Sequence, residues 1–207
     1  PPPLFSSRRR HTRLAILSRG LGDVYKRQSM SRDLGWHFLN LGRRIERALL
    51  LIALLRAVLA SRETAEVEVL LLESVLAVAE SLTLYRRRFR NRPQFEATLD
   101  LLLLDETNSR SLIYQLNAAR QHLEVLPGQG GRPYKKEMRL ILDAVNLLNL
   151  ADAEELMESD GGTRPRLDAL LAGLGHSLSE TSIALSATYF THAQRPYQLV
   201  DKETQAP

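Results

Sequence analysis

From Ser31 to Ala60 apolar residues recur in steps of three and four, at Leu34, Phe38, Leu41, Ile45, Ala48, Ile52, Leu55 and Leu59. That spacing keeps one stripe of a helix against a partner. It predicts a single helix of about thirty residues and about 45 Å, with Ser31 or Asp33 as its cap. Leu49, Leu50 and Leu51 widen the stripe, which predicts cover on more than one side of the helix's middle. After a polar break at 61–64 the same spacing resumes at Leu71, Val75, Val78, Leu82, Tyr85 and Phe89. A second long helix ending near Arg90 is predicted, forming an antiparallel hairpin with the first. Asn91-Arg92-Pro93 stops that helix and starts a third, which runs to Leu104. The leucines at 101–104 predict burial all round.

A fourth helix follows Asp105-Glu106-Thr107, with Asn108 or Ser109 as cap and Leu126-Pro127-Gly128 as its end. Beyond a glycine-rich linker at 129–133, a fifth helix over about Tyr134–Glu158 carries Met138, Ile141, Val145 and Leu148. Gly161-Gly162 ends it, and Pro165 opens a sixth with a seam at Leu167, Leu171, Leu174, Leu178 and Leu185. No segment requires a strand. The predicted fold is therefore an all-α bundle of about six helices, a long antiparallel hairpin first.

Residues 1–28 have neither period and do not match the leucine-rich chain that follows. Residues 7–13 and 18–28 are what sequencing-library adapter DNA encodes when translated, so about 6–28 read as an adapter-like, non-native segment to be set aside from fold reasoning. The expected division is a disordered stretch at 1–28, a helical domain at 29–193 and a flexible tail at 194–207. This changes the charge picture. Of 28 Lys and Arg and 24 Asp and Glu, the first 28 residues hold seven basic and one acidic, leaving 21 and 23. The helical part is near neutral, so the basic pI gives no support to nucleic acid as a partner. Cysteine is absent, which excludes disulfide and thiol chemistry within these residues. No signal peptide is recognised, and the run from Ala48 to Leu55 is far short of the ~20 residues of a membrane span, so no membrane partner is expected.

Three polar clusters stand out from the apolar pattern. In the first, Glu46 shares a helix stripe with Leu39, Gly42, Leu50 and Ala53, flanked by Arg43, Arg44 and Arg47. A carboxylate on such a stripe is expected to be partly buried, and burial is costly unless the charge is paired. It reads as an internal ion pair with the arginines or a solvated face, or else as a Glu-Arg pair held inside a cleft to bind or activate something. The second cluster is Tyr85 and Arg86, with Arg87 and Arg88, where cations favourably meet a helix C-terminus. The third is Asp105, Asn108, Ser109 and Arg110 at a helix start; capping accounts for Asn108 and Ser109 but leaves Arg110 unexplained. Di-iron bundles use a Glu-x-x-His spacing, which does not occur here. Asp33 with His37 and His176 with Glu180 are isolated i,i+4 pairs, so neither metal nor cofactor is expected. No triad and no phosphate-binding glycine loop is recognised.

With those residues in hand, the chain resembles the alpha-E domains, bacterial all-helical domains named for a Glu-Arg motif. The resemblance is carried by SMSRDLGWHFLNLGRRIERALLL at 29–51, SLTLYRRRF at 81–89, LDLLLLDETNSRSLIYQL at 99–116 and ATYF at 187–190. It covers about Ser29 to Phe190 and corresponds to the C-terminal part of a longer domain, with N-terminal helices expected ahead of it. Carried over, the motif pair is Glu46 and Arg47, and Asn108 with Arg110 match a second polar motif in which Ser109 replaces an expected proline. The resemblance implies a bacterial cytoplasmic protein encoded beside, or fused to, a circularly permuted ATP-grasp ligase and near transglutaminase-like peptidases. A helical accessory module in peptide ligation or processing follows as the first expectation. The alternative is a catalytic helical domain with Glu46 as acid or base and the arginines binding a carboxylate or phosphate.

Overall fold

The computed structural model describes residues 33–127 and 135–190; the expectations for 1–28 and 194–207 lie outside them. The described chain is all-α. Eight α-helices run α1 (Leu34–Leu59), α2 (Ala65–Val78), α3 (Leu82–Phe89), α4 (Phe95–Leu99), α5 (Leu112–Val125), α6 (Lys136–Asn149), α7 (Ala153–Met157) and α8 (Pro165–Leu185). Wide π-type turns extend α4 through Asp100–Leu104 and α8 through Ser186–Phe190.

The core is a ring of four helices in which α1 packs against α5, α5 against α6, α6 against α8, and α8 back against α1. The apolar spacing accounts for it. In α1, Leu41, Ile45, Ala48, Ile52, Leu55 and Leu59 are buried, and in α8 the whole seam from Leu167 to Leu185 is buried. Asp33 caps α1 by accepting the Trp36 N–H at 2.9 Å. Leu101, Leu102 and Leu103 are buried as expected, and Leu104 is half-buried.

Two of the six expected helices are each two. The second breaks at Glu80, which adopts φ 52°. Ser81 N–H donates to Leu76 O at 2.8 Å and Glu80 N–H to Ala77 O at 3.1 Å, the paired bonds of a Schellman stop. Val78, counted in the buried seam from its spacing, is 68 % exposed because the helix ends there. The fifth breaks after Asn149, and Asp152 caps α7 through Glu154 N–H at 2.8 Å. The cap of α5 also differs from expectation: Ser111, not Asn108 or Ser109, accepts the Tyr114 N–H.

A buried arginine fastens the end of α1 to the start of α8. Arg164 N–H donates to Ala60 O at 2.7 Å, and its guanidinium donates to Leu59 O at 3.1 Å and Ser61 O at 2.9 Å. It also pairs with Glu68 of α2 and lies 4.0 Å from the Phe95 ring centroid, a cation–π distance.

Candidate functional site

The helix break at Glu80 faces the loop between α4 and α5, and polar groups tie the two together. Asn108 is buried; its amide donates to Leu101 O at 2.9 Å and to Ser81 Oγ at 3.2 Å, while its Oδ1 accepts Arg110 N–H at 3.0 Å. Asp105 accepts from Thr107 through backbone and hydroxyl and pairs with Arg88 at 2.7 Å. Burial alone pushes the Asp105 carboxyl upward, but the Thr107 and Arg88 hydrogen bonds outweigh it and hold the group below its ordinary value. Gln115, buried at the head of α5, donates to Ser109 O at 2.6 Å and accepts from Arg44 of α1 at 3.1 Å.

Arg110 pairs with Glu80, and both line a cavity of about 450 Å³ together with Arg47, Leu50, Leu54 and Gln115. The first and third clusters therefore meet through Arg47 and Arg110. Among the described residues the second touches the third only through Arg88, paired with Asp105; Tyr85 and Arg86 stand apart from the cavity. Tyr85 is buried, its hydroxyl donating to Arg92 O at 3.4 Å and accepting Gln94 N–H at 2.9 Å, so it anchors the α3–α4 turn. Arg86 pairs with Glu73 along a separate open groove. Arg43 is half-buried on α1 and lines neither the Arg47–Arg110 cavity nor the groove described next.

Glu46 corrects an expectation. It is exposed and makes no hydrogen bond or ion pair among the described residues. The reason is the state of its stripe: Leu39 and Leu50 are 42 % and 64 % exposed, and Gly42 and Ala53 are exposed as well. The expected cover over Leu50 is absent among the described residues. Adjacent helix positions do not face each other, so Glu46 and Arg47 serve different surfaces. Glu46 stands in a groove of about 530 Å³ between α1 and the end of α8, walled by Phe38, Leu49, Ala53, Leu185 and Phe190.

Gly42 lines the same groove. A Cβ built there would meet nothing within 4 Å, whereas at Gly175 it would lie 3.6 Å from Ile52. Glycine inside a helix costs roughly 0.5–1 kcal/mol relative to alanine, and no neighbour among the described residues makes it necessary. The pattern shows Gly42 only as one more small residue; the space above it is a tertiary fact.

His37 and His122 also meet, Nδ1 to Nδ1 at 3.2 Å across α1 and α5, with the Trp36 ring edge-on to both. Among the described residues no three His, Asp or Glu gather as a metal site. Burial, then His37 and Arg44 nearby, lower the His122 pKa from its ordinary value. The unfolded chain therefore takes up this proton first. Stability present above about pH 6.5 is lost as the pH falls toward the lowered folded value. Thermal melts at pH 7.5 and 5.5 are expected to show a larger drop for the native chain than for His122→Gln; equal drops contradict this assignment.

Among the described residues no helix is long and apolar enough to cross a membrane. A family model, Alpha-E, described as a predicted alpha-helical domain with a conserved ER motif, matches residues 22–190. It begins ahead of Ser29, inside the stretch read above as adapter-like. The chain has one Glu-Arg dipeptide, Glu46-Arg47. Uncharacterised proteins of Mycobacterium tuberculosis (strain ATCC 25618 / H37Rv) and Mycobacterium bovis (strain ATCC BAA-935 / AF2122/97) are each 39 % identical over 163 residues. Those residues are 78 % of this chain and 18 % of each relative, so the chain spans under a fifth of the length of these relatives. No solved structure matches the chain.

Proposed function

This chain belongs to the Alpha-E family, and from that membership together with the uncovered groove on α1 we propose that it is a helical accessory module docking on a circularly permuted ATP-grasp ligase. The ligase would act in bacterial cytoplasmic peptide ligation or processing beside transglutaminase-like peptidases. Gly42 is the observation that carries the reading. It is a mid-helix glycine with open space above it, at the floor of an apolar groove, where the backbone of a second helix can approach closely.

The occupant is an amphipathic helix of the ligase polypeptide, with a small residue over Gly42 and a lysine or arginine opposite Glu46. Its apolar side would cover Phe38, Leu49 and Leu50. The length of the relatives supports a partner on the same or a neighbouring polypeptide, since more than four-fifths of each lies outside the matched region. The acid–base alternative for Glu46 is weaker because, among the described residues, no arginine lines its groove.

Titration calorimetry of the adjoining ATP-grasp protein into this chain tests the proposal. Ala53→Glu, exposed on the groove wall, is expected to weaken binding about tenfold or more by placing an uncompensated carboxylate against an apolar face while leaving the melting temperature unchanged. Unaltered affinity, or no binding by the native chain, overturns it.

A further inference from the structure

The open groove beside the Arg86–Glu73 pair shares no lining residue with the groove over Gly42. The chain from Arg86 to Arg92 holds five arginines in seven residues. Cations in the last turn of a helix meet its negative end, which accounts for Arg86, Arg87 and Arg88. Two of those also have carboxylate partners, Glu73 for Arg86 and Asp105 for Arg88. Arg90 and Arg92 lie past the last helical residue of α3 and are exposed, and their side chains make no hydrogen bond or ion pair among the described residues. Arg90 also adopts φ 53°, a left-handed conformation that favours glycine at a helix stop. A residue that breaks the local rule in this way points to a use for its side chain.

The backbone that carries these two cations is held fast. Buried Tyr85 donates its hydroxyl to Arg92 O at 3.4 Å and accepts Gln94 N–H at 2.9 Å, and Arg90 N–H donates to Arg86 O at 3.3 Å. Across the groove, α2 supplies Val69 and Leu70, which with Pro93 make an apolar strip, and Leu70 is 63 % exposed. Arg86 and Glu73 neutralise each other as a pair. Arg90 and Arg92 then stand against one lining carboxylate, Glu66 of α2, which has no partner among the described residues either. The groove is therefore polarised, with guanidinium groups on the α3–α4 turn and a carboxylate on α2. A polyanion charged on every side meets Glu66 as a repulsive element. A segment acidic along one edge and apolar along the other meets the arginines with the first and Leu70 with the second. The volume, about 1010 Å³, is at the top of the ~300–1,000 Å³ range of small-molecule pockets and suits a stretch of chain.

We propose that this groove binds an acidic amphipathic segment of a partner protein, its carboxylates on Arg90 and Arg92 and its apolar edge on Val69, Leu70 and Pro93. A guanidinium takes a carboxylate through two parallel N–H donors. Because the turn is already clamped by Tyr85, binding orders the two arginine side chains and not the backbone beneath them, which lowers its entropic cost. Arg87, exposed and without a partner among the described residues, adds to the field that steers an acidic segment toward the turn.

The probe is the heptapeptide Leu-Glu-Glu-Leu-Glu-Glu-Leu, blocked at both ends, compared with its counterpart carrying Gln at each Glu and with inorganic polyphosphate, in 1H–15N spectra of the full chain. The acidic peptide is expected to shift the backbone amides of Leu70, Arg90 and Asn91, less so as salt is raised. The Gln peptide and polyphosphate are expected to leave them in place. Arg90→Gly, which relieves the left-handed stop, is expected to melt at or above the native temperature while weakening the acidic peptide about threefold, the worth of an exposed pair. Arg92→Gln is expected to weaken it by a similar factor, and the two together by about tenfold. Glu66→Lys, which reverses the charge on the α2 lip, is expected to let polyphosphate shift the same amides. No shift from the acidic peptide, equal shifts from the acidic and Gln peptides, polyphosphate shifts in the native chain matching those of the acidic peptide, or unchanged affinity in the double variant overturns the proposal.

Discussion

Arg164→Met is expected to destabilise the fold by about 3–5 kcal/mol, the cost of breaking a buried ion pair from one side. Arg164 is 4 % exposed and Glu68 21 %, so the substitution leaves Glu68 partly buried without its cation. It also leaves the Leu59 and Ser61 carbonyls, at the end of α1, without the donor that satisfies them. For a chain of this size each kcal/mol is about 2–4 °C of melting temperature, so a drop on the order of 10 °C is expected. Urea denaturation separates this from a change in compactness: the midpoint falls and the slope stays. Arg56→Met supplies the contrast. Arg56 pairs with Asp168 at 2.8 Å, but the two side chains are 43 % and 45 % exposed, and an exposed pair is worth under about 1 kcal/mol. Equal losses for the two variants contradict the role assigned to Arg164.

Arg164 also marks what the sequence does not display. The bundle was legible because α1 and α8 each bury a continuous helical stripe, and periodicity reports a stripe directly. Arg164 sits between Gly161-Gly162 and Pro165 and looks like an ordinary linker cation. The groups its guanidinium hydrogen-bonds are 96 to 105 residues away in sequence, and no local spacing encodes them. Glu80 was hidden for a related reason. The apolar period runs through it unbroken from Val78 to Leu82, and the stop is made by a glutamate where a glycine would have announced one.

The candidate site was legible in part. Composition and position mark Arg47, Asn108 and Arg110, and the fold brings Arg47 and Arg110 to one cavity. Glu46 also stands out in the sequence, yet apolar neighbours on its stripe imply burial only when a partner covers the stripe. Leu50, 64 % exposed, shows that nothing among the described residues does. Gln115 and His122 went unremarked because each acts through a contact between α1 and α5.

If the groove over Gly42 receives a helix of an ATP-grasp ligase, as proposed, Gly42 is the position that tests the docking with least disturbance to the fold. Gly42→Leu fills space that is open among the described residues, and replacing a mid-helix glycine removes a penalty of roughly 0.5–1 kcal/mol. The isolated chain is therefore expected to melt slightly higher. Docking is expected to suffer in the opposite direction, since forcing an extra side chain into a packed contact costs typically about 1–3 kcal/mol, or about 5- to 150-fold in affinity. The deciding measurement is a calorimetric titration of the proposed ATP-grasp partner into native and Gly42→Leu chains, with a melt of each. A raised or unchanged melting temperature together with affinity lost by about fivefold or more is the predicted result. Unchanged affinity in Gly42→Leu would contradict the account.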